Sequence, residues 1–572
     1  MSVHRKQSGV TLVEVLVASA VCVVIALSLY QVVSVLFSTI GSIRVRTVLA
    51  EIASQKMEFI RNLTYDNVGT IGGVPSGVIS QNESFEQNSK TFGVRTTIRN
   101  IDNPQDGTIG GSPNDLSPAD NKLIHIEVVC TSCPRQEMVK YTSIIAPKYL
   151  ETENGNGALI IKVVDANGEP LVGANVRVVN TNILPNIDIS DVTDTRGVLA
   201  IVDTPPSTQE YQIIVSKDGY STEQTYLYGD PSNPDPTKPH LTVSANTVTQ
   251  DTFSIDTLAT LSFSAYSPQC APVSGLPVAV TGTKIIGNPN ILKKNQTYTT
   301  DTAGMFSEDA LEWDTYSVSI GNTHQVIGMS RINPSVVAPG GLLEIDAVVD
   351  TLLGDRTAIG VFDGNSGNAL PGSIIRLTKS GTTDTYIAGQ SYIVHRDWDA
   401  MLSSATGVSV VADTARLASI NGSYVQSGEL ISPTIDMGEG GVLKSLTAQF
   451  ETPPGTTMRV QVATNTDNQT WNFVGPDGTS DSYFDVPVTL SKAGRYAQYK
   501  VFFSTSDVSQ TPQLEQVTLG YQNSCTSASS VSIEGASAGT YSLSAEKNGF
   551  ETGLKTITIP NTNYEAISLT AI

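Results

Sequence analysis

Positive charge is scarce in this chain of 572 residues: Lys and Arg number 34 against 55 Asp and Glu, a formal net charge of −21 at pH 7. Phosphate backbones are bound by basic surfaces, and no long Lys/Arg run follows the first few residues, so nucleic acid is not an expected partner. Histidine is equally sparse. Apart from His4, the positions His125, His240, His324 and His395 lie far apart without ligand spacing, which argues against a transition-metal centre, and no cofactor is expected. Cysteine occurs five times. Cys130 and Cys133 form a C-x-x-C, but no second such pair and no βαβ pattern accompany it, so neither a zinc site nor a redox motif is supported. Only 16% of residues are charged and 40% are hydrophobic, with frequent Gly, Ser, Thr and Asn. That composition suits many short strands and turns rather than disorder, and the length calls for several domains.

The N-terminus is different. After the basic stub His4, Arg5 and Lys6, the run from Val10 to Ile40 contains one formal charge, Glu14. It exceeds the roughly 20 apolar residues that cross a bilayer as a helix. Basic residues stay on the cytoplasmic side, which places the bulk of the chain across the membrane. A cleaved secretory signal fits poorly: the run is longer than an ordinary signal core, no A-x-A-like site follows it, and a carboxylate sits inside it. An ionisable group in hydrocarbon costs several kcal/mol unless paired, which makes Glu14 a functional candidate.

The stretch "SGVTLVEVLVA" resembles the type IV prepilin signal, a short basic leader ending in glycine and followed by a hydrophobic helix with glutamate at its fifth position. The resemblance implies a leader at 1–9, cleavage by prepilin peptidase between Gly9 and Val10, N-methylation of Val10, and Glu14 as the buried carboxylate used in assembly. Val10 stands where phenylalanine is more usual. In a filament Glu14 could pair with the N-terminal amine of a neighbouring subunit.

Apolar positions Val45, Val48, Leu49, Ile52, Phe59, Ile60 and Leu63 continue at helical spacing, predicting one helix over 10–63, on the order of 80 Å long at 1.5 Å per residue. The basic "SIRVR" marks the membrane exit. Alternating segments "TFGVRTTIRNI", "NKLIHIEVVC" and "QEMVKYTSIIA" read as strands. The fold class is thus an α+β pilin-like domain over 10–150, a long membrane-spanning helix plus an antiparallel sheet, followed by an all-β region. Of the cysteines, Cys22 lies in the apolar run. Cys130 and Cys133 are expected to form a small structural disulfide at a turn, and Cys270 and Cys525 are candidates for a second.

Beyond "ETENGNG", the pattern "ALIIKVVDANGEPLVGANVRVVN … DTRGVLAIV … EYQIIVSKDGYST" resembles carboxypeptidase-regulatory-like and collagen-adhesin B-type immunoglobulin-like sandwiches, here over 155–255. A looser copy spans 256–352. A third opens at 355–390, but its second half appears only at 524–572, which makes 391–523 an insert resembling jelly-roll sandwiches. Trp471 is expected in the insert's core rather than on a sugar-binding surface. A Cys270–Cys525 bridge would staple the second and third modules.

Three catalytic or covalent chemistries find little support. Lys162 falls where the adhesin family places an isopeptide lysine, but "YQIIVSK" lacks the promoting Glu. "GASAG" (535–539) matches a nucleophile elbow, yet no histidine follows it and strand pattern does. The oxygen-rich turns "DGNSGN" and "NTDNQTW" do not complete an EF-hand spacing. The expectation is therefore a non-enzymatic minor pilin of a type IV pilus, with other pilin subunits as partners. Its processing would occur at the inner membrane and its β-modules would be displayed outside to a surface glycan or protein. The alternative is a pseudopilin of a secretion machine that contacts exported substrate.

Overall fold

A computed structural model describes residues 12–87, 89–103, 107, 111–112, 115, 118–133, 137–147, 155–351, 356–398, 403–561 and 563–572; at helix positions 13–15, 18, 24 and 38 only the backbone is described. The architecture is one long N-terminal helix followed by a large all-β region of many sheets. Helix α1 runs over Leu12–Arg61, about 75 Å at 1.5 Å per residue. Val10, where the sequence starts the helix, lies outside the described residues. At the other end the helix stops two residues before the expected Leu63. The Leu63 N–H turns back to the Ile60 carbonyl (3.1 Å) in a tightened last turn.

The two halves of α1 meet different surroundings. Its first half carries Leu16, Val21, Leu27 and Val35 exposed. In the second half Val45, Leu49, Ala53, Met57 and Ile60 recur every three or four residues, so they share one face, and all are buried. That face packs on the inner side of a four-stranded antiparallel meander, β1 (Asn82–Gln87), β2 (Lys90–Ile101), β3 (Asn121–Cys130) and β4 (Met138–Ile145). Phe92, Val94, Ile98, Ile124, Ile126 and Val128 supply the other side of this core. Edge strand β1 has no apolar alternation in its sequence; it is held by its ladder to β2 and by Lys56 on the helix, whose Nζ lies 2.7 Å from Glu83.

The next sandwich stacks a sheet of Gly157–Val164 flanked by Val198–Thr204 and Val248–Ser254 on a second sheet centred on Asn175–Asn180 and Ser207–Ser216. Leu159, Ile161 and Val163 meet Val176, Val178, Ile213 and Phe253 between them. Val74, from the loop of the helical domain, enters this same core. Around it the Asp188 N–H donates to the Gly72 carbonyl (2.5 Å) and Arg95 donates to the Ser190 carbonyl (2.7 Å), so the head and the first sandwich are knitted together.

Three features recur in three sandwiches. The first strand lies parallel to the last: Gly157–Val164 beside Val248–Ser254, Ala259–Tyr266 beside Leu342–Thr351, and Arg356–Asp363 beside Glu565–Leu569. A buried tyrosine early in a central strand donates its hydroxyl to a backbone carbonyl a few residues upstream: Tyr211 to Pro205 (2.6 Å), Tyr316 to Glu312 (2.7 Å), and Tyr541 to Ser537 (2.9 Å). Finally, the first strand receives one carbonyl from a turn: Val163 N–H donates to Gly197 (2.7 Å), Ala265 to Gly304 (2.8 Å), and Val361 to Ser529 (2.9 Å). In the first two copies that turn is D-x-x-G, with Asp194 and Asp301 each accepting two backbone N–H groups. Gly197 and Gly304 have φ of +71° and +76°, and a Cβ on either would lie 2.5–2.6 Å from the carbonyl oxygen of Val163 or Ala265. In the third copy the insert occupies the position of this turn.

The insert is not hung on a flexible tether. Strand Gln390–His395 pairs in parallel with Ser530–Glu534 of the host and antiparallel with Gln513–Gln522 of the insert, so one nine-stranded sheet runs through both. Tyr392 and Val394 belong to the host core while Ile393 packs on the insert core. A domain edge at residue 391 therefore falls inside a shared strand. The insert core gathers Leu430, Leu443, Val460, Tyr499, Val501 and Phe503 around Trp398, which is fully buried and donates from Nε1 to the Glu515 carbonyl (3.1 Å). Trp471 is only half-buried and stands outside that cluster, because it sits on a polar connection whose turn residues hold it at the surface.

Candidate functional site

Gly9 and Val10 lie outside the described residues. Glu14 is in α1, its side chain not described. From Val15 to Ile43 no residue carries a formal charge, and the helix is long and apolar enough to cross a membrane. Where the charge-free run ends, Arg46 Nε donates to Glu137 (2.7 Å) just before β4, and Ser42 Oγ donates to the same carboxylate. This latch fixes the helix to the far edge of the sheet at the point where it leaves the apolar segment. Sequence reading missed it because Glu137 is more than 90 residues from Ser42 and Arg46, and only the packing of the helix on the sheet brings them together.

The segment around this helix decides the relationship. Residues 4–30 match the family model described as the prokaryotic N-terminal methylation motif. The N-terminus carries a pilin-like type IV signal. No curated protein matches the chain by sequence. Among solved structures, the Bacillus anthracis TIE protein is 10% identical, covering 86% of this chain and 73% of that one at a TM-score of 0.17. A streptococcal ancillary pilin is 12% identical over 40% of this chain and 75% of its own, at a TM-score of 0.16. The shaft pilin SpaA from Lactobacillus rhamnosus GG is 10% identical over 35% and 99%, at 0.15. Overlaps this loose settle nothing about what this chain does.

Cys130 and Cys133 are bonded, with Cα atoms 5.6 Å apart, at the end of β3 against the core of the helical domain. Cys270 and Cys525 are bonded as well, at a Cα separation of 5.4 Å. Cys270 sits in the tight turn that follows Ala259–Tyr266, with its N–H on the Ser267 carbonyl (2.9 Å). Cys525 follows Gln513–Gln522, and between them Asn523 Nδ2 donates to the carbonyls of Pro268 (2.7 Å) and Met437 (2.8 Å). Cys22 is a free, exposed thiol on the helix.

On the outward side of the insert, strand pairing brings Arg459 opposite Phe502 and Phe502 opposite Glu429. Tyr483 lies edge-on to Phe502 with centroids 5.3 Å apart. The Arg459 guanidinium stands 5.1 Å from the Tyr483 ring centroid, and Lys500, paired with Glu429 at 2.7 Å, stands 5.0 Å from that of Phe502. The result is a half-exposed surface that is both aromatic and charged.

The remaining candidates take ordinary structural places. Ser537 of "GASAG" hydrogen-bonds the Tyr541 hydroxyl in a strand–turn–strand segment, not on a strand–helix elbow. His395 is buried with Nδ1 2.8 Å from the Tyr499 hydroxyl, and burial lowers its pKa to about 4. His125 pairs with Thr142 (3.1 Å), and His240 and His324 lie elsewhere in the chain. Asp363 and Asp467 accept the N–H and hydroxyl groups of their own turns, and these bonds hold the Asp467 carboxyl at about 2. Lys162 lies in the Gly157–Val164 strand beside Val198 and Thr252.

Proposed function

We propose that this chain is a large minor pilin whose helix enters a type IV filament while its β-modules project outward to bind a surface glycan or protein. The supporting observation is the division of α1: an apolar half whose described side chains are exposed continues without a break into a half buried against its own sheet. The exposed half needs an apolar environment, first a bilayer and then the helices of other subunits. On this reading prepilin peptidase cuts between Gly9 and Val10, Val10 is N-methylated, and Glu14 meets the amine of a neighbouring subunit. The head at 10–150, sandwiches at 155–255, 256–352 and 355–390 plus 524–572, and the insert at 391–523 then lie outside the cytoplasm.

The role is structural and not catalytic, and a body this bulky suits a filament tip or sparse incorporation better than every shaft position. Mass spectrometry should find an N-terminal methylvaline at Val10. Immunogold labelling with antibody to 403–513 should then mark filament ends. Methylvaline with label confined to the envelope would discard the pilus and leave a secretion pseudopilin; an unprocessed leader would discard both.

A further inference from the structure

The positions of Cys270 and Cys525 in the strand order define a path for mechanical load. Cys270 comes just after Ala259–Tyr266, the first strand of the second sandwich, and Cys525 comes just after Gln513–Gln522, the strand by which the insert ends. Each of these strands is central in its sheet. Ala259–Tyr266 lies between Met305–Leu311 and Leu342–Thr351, and Gln513–Gln522 lies between Gln390–His395 and Val442–Glu451.

We infer that the Cys270–Cys525 disulfide is a load shunt. Tension applied to the insert passes down Gln513–Gln522, across the bridge and out along Ala259–Tyr266. The longer arm of the covalent loop that the bridge closes, from Cys270 through the rest of the second sandwich and the first half of the third to the point where the insert is gripped, carries none of it. In the reduced state the path runs through that chain, so both sandwiches must hold or lengthen. The parallel pairing of Ala259–Tyr266 with Leu342–Thr351 then loads its hydrogen bonds together in shear. The bridge therefore sets whether the second and third sandwiches are bystanders or an extensible reserve, and an external dithiol that reduces it to two thiols, being itself oxidised to a disulfide, converts one state to the other.

This inference rests on the insert being the part that grips, but its test does not. The full-length chain in detergent is tethered through its N-terminal helix and through a clickable residue replacing the exposed Pro476, then stretched in an optical trap before and after addition of reductant to the same molecule. Reduction is expected to add about 160 residues of releasable chain, on the order of 550 Å at about 3.5 Å per residue. Opening the small Cys130–Cys133 loop would add only about 10 Å. Equal total extension before and after reduction would overturn the inference. A Cys270→Ser/Cys525→Ser double variant that unfolds with the reduced wild-type pattern would tie the effect to this bridge. Loss of filament labelling with the shunt intact would instead count against the proposed function alone.

Discussion

At the scale of single residues, the three corner tyrosines show how a repeated fold is fixed by one recurring bond. Each ring is buried and each hydroxyl has a backbone carbonyl to satisfy it, so Tyr316→Phe should cost about 0.5–1.5 kcal/mol. Urea unfolding of the full chain should register this as an earlier transition, and Tyr541→Phe should behave alike in the third sandwich. His395 makes a prediction about acid. Its folded pKa of about 4 lies below the ordinary 6.5, so as pH falls from 6.5 towards 4 the unfolded chain takes up a proton that the folded chain refuses. Stability should drop across that window. In His395→Gln the drop should be shallower, as read from denaturant midpoints at stepped pH. Neither the tyrosines nor His395 announced its role in the sequence: each tyrosine bonds a backbone carbonyl, a group that every residue carries, and His395 bonds a hydroxyl 104 residues away.

At the scale of elements, α1 was legible to within a few residues because its apolar run and its spacing are properties of the chain alone. The faces were less so. Phe59 fits the helical periodicity but is exposed, whereas Ala53, too small to stand out in a hydrophobic pattern, is fully buried where helix and sheet approach. Leu49→Ala should therefore destabilise the head by about 2–5 kcal/mol, while Leu27→Ala should leave its resistance to protease unchanged in detergent. Strand β1 escaped notice because it is polar and is held by its ladder and by Lys56. The strand shared by host and insert was not legible, since each of its faces serves a different core. The expected processing residues Gly9 and Val10 and the expected assembly residue Glu14 rest on resemblance to a processing signal and not on periodicity.

At the scale of the molecule, the chain divides into two compact units, residues 1–255 with 287–289 and the remainder. Inside each unit, neighbouring domains are bound by shared structure. Val74 joins head to first sandwich; Ile327, Val348 and Ala358 form a small core linking second to third; and the nine-stranded sheet carries the third into the insert. Stopping the chain after Asn563 should consequently do damage far from the deletion. It removes Ile567 and Leu569 from the third core together with the parallel partner of Arg356–Asp363, so limited proteolysis should open the 356–387 region while sparing the first sandwich.

The same pairing imposes an order in time on a chain that is made from the head towards its C-terminus. Strand Arg356–Asp363 emerges long before its neighbours Ser530–Glu534 and Glu565–Leu569, and its apolar face must wait while the whole insert passes. A sandwich of this kind stays half-built until the insert is complete, and because Cys525 follows the insert in sequence, the bond to Cys270 can close only on a chain whose insert has already been made.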